Sequence, residues 1–264
     1  MMAGADALDP VHVDLSGGGA GGQGVMEAQS DTLLLLVVSR PEGEGPVVSG
    51  GQPAGLMHAW EMVPFTGDRV TEYTVADAGG RLALCASSDG AASALVRELE
   101  YDPARLPLLR FRLRVLDTVE GGDLTRKEGD DFPARIFVNF RFDSDHEGYF
   151  SRLKHTLAES AKGRKLPGHS LNYVWGNRHP PGTTEESAYS DRVQTIVVQS
   201  GPDSTGTWWE FERNIVEDYV RSFDKPAPSV VSIGIMTDSD DTGSKSAGCY
   251  GGIEARGARS PQDR

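Results

Sequence analysis

The chain has 264 residues, enough to bury a full core in one domain, and a formal charge of −13 from 26 basic against 39 acidic residues. That balance repels phosphate backbones and excludes a nucleic-acid partner, leaving cations, neutral sugars and other small polar molecules as ligands. Hydrophobic residues at 38% and 32 glycines describe short strands joined by tight turns, not a helical bundle.

Residues 1–30 lack periodicity and pass through a nearly all-glycine stretch at 17–24, so 1–55 reads as a flexible arm that ends in a second glycine- and proline-rich segment at 41–55. Inside this arm the apolar run 33–38 marks an edge strand. It follows Glu27 and Asp31, not a basic flank, and is too short for a signal-peptide core or a membrane span. No export signal and no inserted segment are therefore read in the chain as given.

From 56 to 254 alternating apolar and polar residues recur between turn signals, the pattern of strands with one buried face. The strands are expected at 70–75, 82–86, 94–99, 109–116, 135–142, 171–175, 193–199, 208–212 and 231–236. One short helix is expected at 151–162. Another is expected at 215–223, where Asn214 as N-cap and Glu217 three residues on form a capping box ahead of the stripe Val216, Val220 and Phe223. The fold class is all-β: a two-sheet antiparallel β-sandwich of jelly-roll or concanavalin-like type with one or two short helices. The tail 255–264 reads as unpacked.

Two strands declare their faces. Leu109, Phe111, Leu113 and Val115 alternate with Arg110, Arg112 and Arg114, and Ala134, Ile136, Val138, Phe140 and Phe142 alternate with Arg135, Phe137, Asn139 and Arg141. Arginine, asparagine and aromatic side chains on one sheet face suit a polar ligand groove; a solvated exterior balanced by carboxylates explains the arginine triplet equally.

Polar clusters sit at the strand ends. The run 129–135 (GDDFPAR) places Asp130 and Asp131 before a strand, with Pro133 where it forfeits no ladder hydrogen bond. The run 171–177 (LNYVWGN) carries Asn172 and ends on Trp175, which is either a stacking platform for a sugar ring or core. The run 212–218 (ERNIVED) gathers Arg213, Asn214 and Asp218, with Arg213 able to hold a carboxylate in bidentate fashion. The run 238–243 (DSDDTG) sets oxygen donors at Asp238, Asp240 and Thr242, like the first half of a calcium loop, although the bidentate glutamate of an EF-hand is replaced by Cys249. A calcium ion completed by other donors and a solvated turn of self-capping aspartates are the two readings of this loop.

The chain has no phosphate-binding glycine loop, nucleophile elbow or zinc-protease motif, and its six histidines form no ligand pair. Cys85 and Cys249 have neither metal spacing nor a neighbouring histidine; they can pair, but inert packing is the preferred reading. The function expected is recognition of a carbohydrate or similar polyhydroxylated ligand. It would be bound by Asp130, Asp131, Arg135, Asn139, Asn172, Trp175, Arg213, Asn214 and Asp218, with calcium on Asp238, Asp240 and Thr242 as a possible aid. The alternatives are a glycoside hydrolase using paired carboxylates, with Asp131 and Asp238 as the catalytic candidates, and an ion-pair network that only locks the sandwich.

Four runs in this order, GDDFPARIFV from Gly129, LNYVWGN from Leu171, ERNIVEDYVRSF from Glu212 and IGIMTDSDDTG from Ile233, resemble a bacterial family known as domain of unknown function 3047. The resemblance extends from about residue 60 to 253. It implies a concanavalin-like or jelly-roll sandwich in exported proteins, periplasmic or extracellular, with no established activity. By position Asp130, Asp131, Arg135, Asn172, Trp175, Arg213, Asn214, Asp218, Asp238 and Asp240 match the family's polar signature. Asp241 stands where the pattern has asparagine, and the N-terminus lacks the expected export signal.

Overall fold

The computed structural model describes residues 31–38, 56, 60–65, 69–143 and 168–258, all within the unit Asp31–Arg264. The helix expected at 151–162, the glycine-rich stretches at 1–30 and 41–55 and the end of the tail from 259 lie outside the described residues. In chain order the described strands are β1 (Thr32–Leu36), β2 (Glu61–Pro64), β3 (Glu72–Asp77), β4 (Leu82–Asp89), β5 (Ser93–Tyr101), β6 (Leu108–Asp117), β7 (Arg135–Phe140), β8 (Ser170–Gly176), β9 (Thr184–Ser187), β10 (Ser190–Ser200), β11 (Trp209–Asn214), β12 (Val230–Met236) and β13 (Lys245–Arg256). They build a six-stranded sheet in the order β11-β6-β13-β4-β3, with β1 also on β13, and a seven-stranded sheet in the order β2-β5-β12-β7-β8-β10-β9. The architecture is an all-β sandwich with a short helix, α1 (Ile215–Phe223). Pairing is antiparallel except between β8 and β10, which run parallel with β9 returning outside β10. Among the described residues no helix is long and apolar enough to cross a membrane.

Alternation builds the core as expected. Leu109, Phe111, Leu113 and Val115 of β6 are fully buried, and so are Ile136, Val138 and Phe140 of β7, all in one cluster between the sheets. Burying each such side chain contributes about 1.5–3 kcal/mol. However, β6 and β7 belong to different sheets, so the arginine triplet of β6 and the polar face of β7 lie on opposite outer surfaces of the sandwich. Arg110 of the triplet meets Glu210 and Glu254, and Arg114 donates to the Gly206 carbonyl at 2.9 Å. Arg110 and Arg114 thus belong to a partly solvated exterior and are met by neighbouring acceptors.

The 245–256 segment corrects the sequence reading most. No strand is expected there, and the tail is expected to be unpacked from 255, yet β13 runs to Arg256 and forms the middle of its sheet, with Ala255 fully buried. Glycine is required here by close approach: a Cβ on Gly248 would collide with the Pro133 carbonyl oxygen. Cys249 of β13 pairs directly opposite Cys85 of β4, and the two form a disulfide rather than inert thiols. Their separation of 164 residues gave no sequence signal, because only sheet pairing brings them together. Closing so long a loop stabilises the fold by about 2–5 kcal/mol.

Candidate functional site

The site forms where β7 begins and β12 ends, because Met236 of β12 stands opposite Arg135 of β7 in the ladder. Residue alternation turns Arg135 and Phe137 of β7, Asn172 of β8 and Met236 of β12 away from the core, onto the outer face of the seven-stranded sheet. The two acidic segments beside this sheet end are stitched together. Phe132 donates its N–H to Asp238 Oδ1 at 3.1 Å, and Asp238 returns its own N–H to the Phe132 carbonyl at 3.2 Å. Asp131 accepts the N–H groups of Asp241 at 3.3 Å and Thr242 at 2.6 Å on its two carboxylate oxygens.

Arg135 lies at the centre of this junction. Its Nε donates to Asp238 Oδ1 at 2.8 Å, its Nη1 lies 3.5 Å from Asp130 Oδ2, and its Nη2 bonds both the Asp130 carbonyl and Asp238 Oδ2. The guanidinium also packs over the Phe132 ring at 4.5 Å. Arg135, Asp130, Asp131 and Asp238 are all buried, so one guanidinium shares a low-dielectric space with three carboxylates. Burial pushes the Asp238 carboxyl up to about 7 against the pull of Arg135, and it raises that of Asp130 in the same way.

In front of this cluster opens a cavity of about 370 Å³, the size of a small-ligand site. Asp130, Arg135, Asp238, Asp240, Asp241 and Asn172 supply its polar wall, and Phe137, Val193, Met236 and Ala92 its apolar one. Phe65, just after β2, and Tyr189, at the tip of the β9–β10 hairpin, stand at its mouth with 59% and 52% of their surface exposed. The hairpin tip is held over the sheet by a hydrogen bond from Tyr189 Oη to Asp241 Oδ1. Asn172 is 1% exposed; its Nδ2 donates to Thr195 Oγ1 at 3.2 Å, and its Oδ1 has no partner among the described residues.

The residues expected to share one site divide. Asp130, Arg135, Asn172, Asp238 and Asp240 meet at the cavity, with Asp131 behind it. Asn139 is tied below it to Ser232 and Ser170. Trp175 is no stacking platform: it is fully buried in the core, the apolar side of an alternating strand having turned inward. Arg213, Asn214 and Asp218 lie apart at the start of α1. Asn214 caps the helix by accepting the N–H groups of Val216 and Glu217, with Glu217 Oε1 accepting from its Nδ2 and not from its backbone N–H, while Asp218 takes bonds from Arg213, Arg221 and the Tyr173 hydroxyl.

Of the cation donors expected in the 238–243 run, Asp238 and Asp240 stand with Asp131, one oxygen of each within 4.8 Å of the others. The Thr242 hydroxyl pairs with Ser244 instead. Arg135 already brings to Asp238 the positive charge that calcium would supply. Sequence reasoning missed Phe65 and Tyr189, whose signal was faint: single aromatic residues in polar, turn-rich stretches with no alternating partner.

No curated protein matches the chain in sequence. In structure it is similar to the glycoside hydrolase domain of Endo-D from Streptococcus pneumoniae R6, at 10% identity and a TM-score of 0.35. That match covers 76% of this chain and only 22% of the other. A family model described as protein of unknown function (DUF3047) matches residues 58–254, and the chain belongs to that family.

Proposed function

We propose that the cavity recognises a carbohydrate or a similar polyhydroxylated ligand. One observation carries this reading: a wall of hydrogen-bonding side chains faces a space whose mouth holds two half-exposed aromatic rings, Phe65 and Tyr189. A sugar needs both features, since its hydroxyl groups require directional partners and its C–H faces stack on aromatic surfaces. The carboxylates are preorganised by backbone N–H groups and by Arg135, so a ligand meets acceptors that are already fixed in place.

Glycan-array screening followed by calorimetry on the strongest binder tests the proposal. Phe65→Ala and Tyr189→Ala are each expected to weaken binding about tenfold, the loss that about 0.5–1.5 kcal/mol of aromatic contact plus lost apolar area implies. Trp175→Phe, placed in the core, is expected to leave the affinity of the folded protein unchanged. Undiminished binding by both mouth variants would remove the proposal's support.

A further inference from the structure

We infer that the ligand of this cavity carries a positive charge in the form of an ammonium group. The inference rests on the polyhydroxylated-ligand reading and narrows it to an amine-bearing member of that class, such as an amino sugar.

Charge is the first ground. Among the described residues the cavity is lined by the carboxylates of Asp130, Asp238 and Asp241 against the guanidinium of Arg135, and Asp131 lies immediately behind. Arg135 is directed inward, with its three nitrogens bonded to Asp130 and Asp238. It therefore serves the back of the wall, and the Asp241 carboxylate at the front is met by the neutral Tyr189 hydroxyl. Among the described residues Lys127 is a further nearby cation, and its ammonium lies 4.7 Å from the centre of the Tyr189 ring. It shows that a cation is accommodated against this aromatic side chain.

Hydrogen-bond polarity is the second ground, and it is independent of charge. Asn172 is almost wholly buried and has its amide nitrogen on Thr195, which leaves an acceptor oxygen at the cavity wall without a donor among the described residues. Tyr189 gives its hydroxyl proton to Asp241, so it too presents lone pairs. Asn172 and Tyr189 thus both turn acceptors toward the cavity, while Ser187 and Ser190, whose oxygens hold the N–H groups of Tyr189 and Arg192, supply its hydroxyl donors. A neutral sugar hydroxyl can supply one proton, whereas an ammonium supplies three donors, no acceptor and a full charge.

A bare metal ion answers these features less well. The oxygens of Asp131 hold two backbone N–H groups and those of Asp238 hold Arg135, so a metal on them would lie beside a guanidinium. A cavity of about 370 Å³ also has room for a sugar-sized molecule, far more than one ion fills.

The test is calorimetric titration of the full chain with a glucosamine oligosaccharide, its fully N-acetylated counterpart and a glucose oligosaccharide of equal length. Putrescine serves as a fourth, sugar-free probe, at a pH where the amines are protonated. The free-amine sugar is expected to bind at least about tenfold more tightly than the other two sugars, and the preference is expected to shrink as salt screens the charge. Asp241→Asn keeps an acceptor for Tyr189 while removing one charge; it is expected to lose most of the preference with an unchanged melting midpoint. Equal affinity for the amine and N-acetylated sugars would overturn the ammonium inference and leave the carbohydrate reading standing. Binding of putrescine with no sugar bound would support the ammonium group and sink the carbohydrate. Silence from all four probes would overturn both.

Discussion

Asp218 and Asp238 are both nearly fully buried and both bonded to arginine, and they differ in the ratio of charges around them. Asp218 is one carboxylate held by two arginines, Arg213 and Arg221, and by the Tyr173 hydroxyl. Both arginines reach partly into solvent, their side chains 31% and 68% exposed. Asp238 is one of three buried carboxylates around a single buried arginine, and it faces a cavity. Residue type does not distinguish the two clusters; charge balance and access do. The first closes on itself and fixes α1 to β8 and β11, whereas the second keeps excess negative charge beside an opening.

The largest effect that separates them is expected at the arginines. Arg135→Gln leaves three buried carboxylates without their cation, so unfolding in urea should show a loss of about 3–5 kcal/mol. Arg213→Gln leaves Asp218 with Arg221 and Tyr173, and the loss should stay near 1 kcal/mol, the scale of a partly exposed ion pair. Equal losses would mean that the two clusters are locks of one kind.

Next in size is Asp218→Asn. Its removal of a buried charge from two arginines and a tyrosine should cost about 1–3 kcal/mol. Because the cluster lies outside the cavity lining, the folded variant should bind the same glycans with unchanged affinity. Weakened binding at full occupancy of the folded state would join the two regions into one functional unit.

How far this division could be read in advance follows from the residues. All nine strands expected from alternation are present, and Asn214 caps α1 as expected, because both are local properties of the chain. Asp130, Arg135, Asp238 and Asp240 were legible as a group because strand termini concentrate polar side chains. Their separation from Arg213 and Asp218 was not legible, since it depends on which strands share a sheet. The same blindness explains β13: Gly248 signals a turn in sequence, and only the nearby Pro133 carbonyl explains why a central strand needs it. Trp175 was ambiguous because Leu171, Tyr173 and Trp175 keep the same alternation whichever face is buried. The structure settles it by burying all three.

The smallest expected effect is a dependence on pH. Burial raises the Asp238 carboxyl to about 7, above its ordinary unfolded value of about 4, so in this window the native state binds more protons than the unfolded chain. Its contribution to stability is therefore present at low pH and is lost as pH rises toward 7. The other groups coupled to it have different roles: Arg135 opposes the shift, Asp131 adds to it, and Tyr73 and Tyr250 are driven up by burial and stay neutral. Asp123 acts with the opposite sign. Hydrogen bonds from Thr125 and His179 hold its carboxyl well below the usual range, so its contribution is present above about pH 4 and lost on acidification. Urea unfolding from about pH 5 to pH 7 should thus show stability falling with pH, by about 1.4 kcal/mol per pH unit for each linked proton, with Asp130, raised in the same direction, adding to the slope of Asp238. Asp238→Asn should reduce that slope whatever its own cost in stability. An identical slope in wild type and Asp238→Asn would show that Arg135 fully neutralises Asp238, and the excess charge that sets the cavity cluster apart from the α1 cluster would have to reside on Asp130 instead.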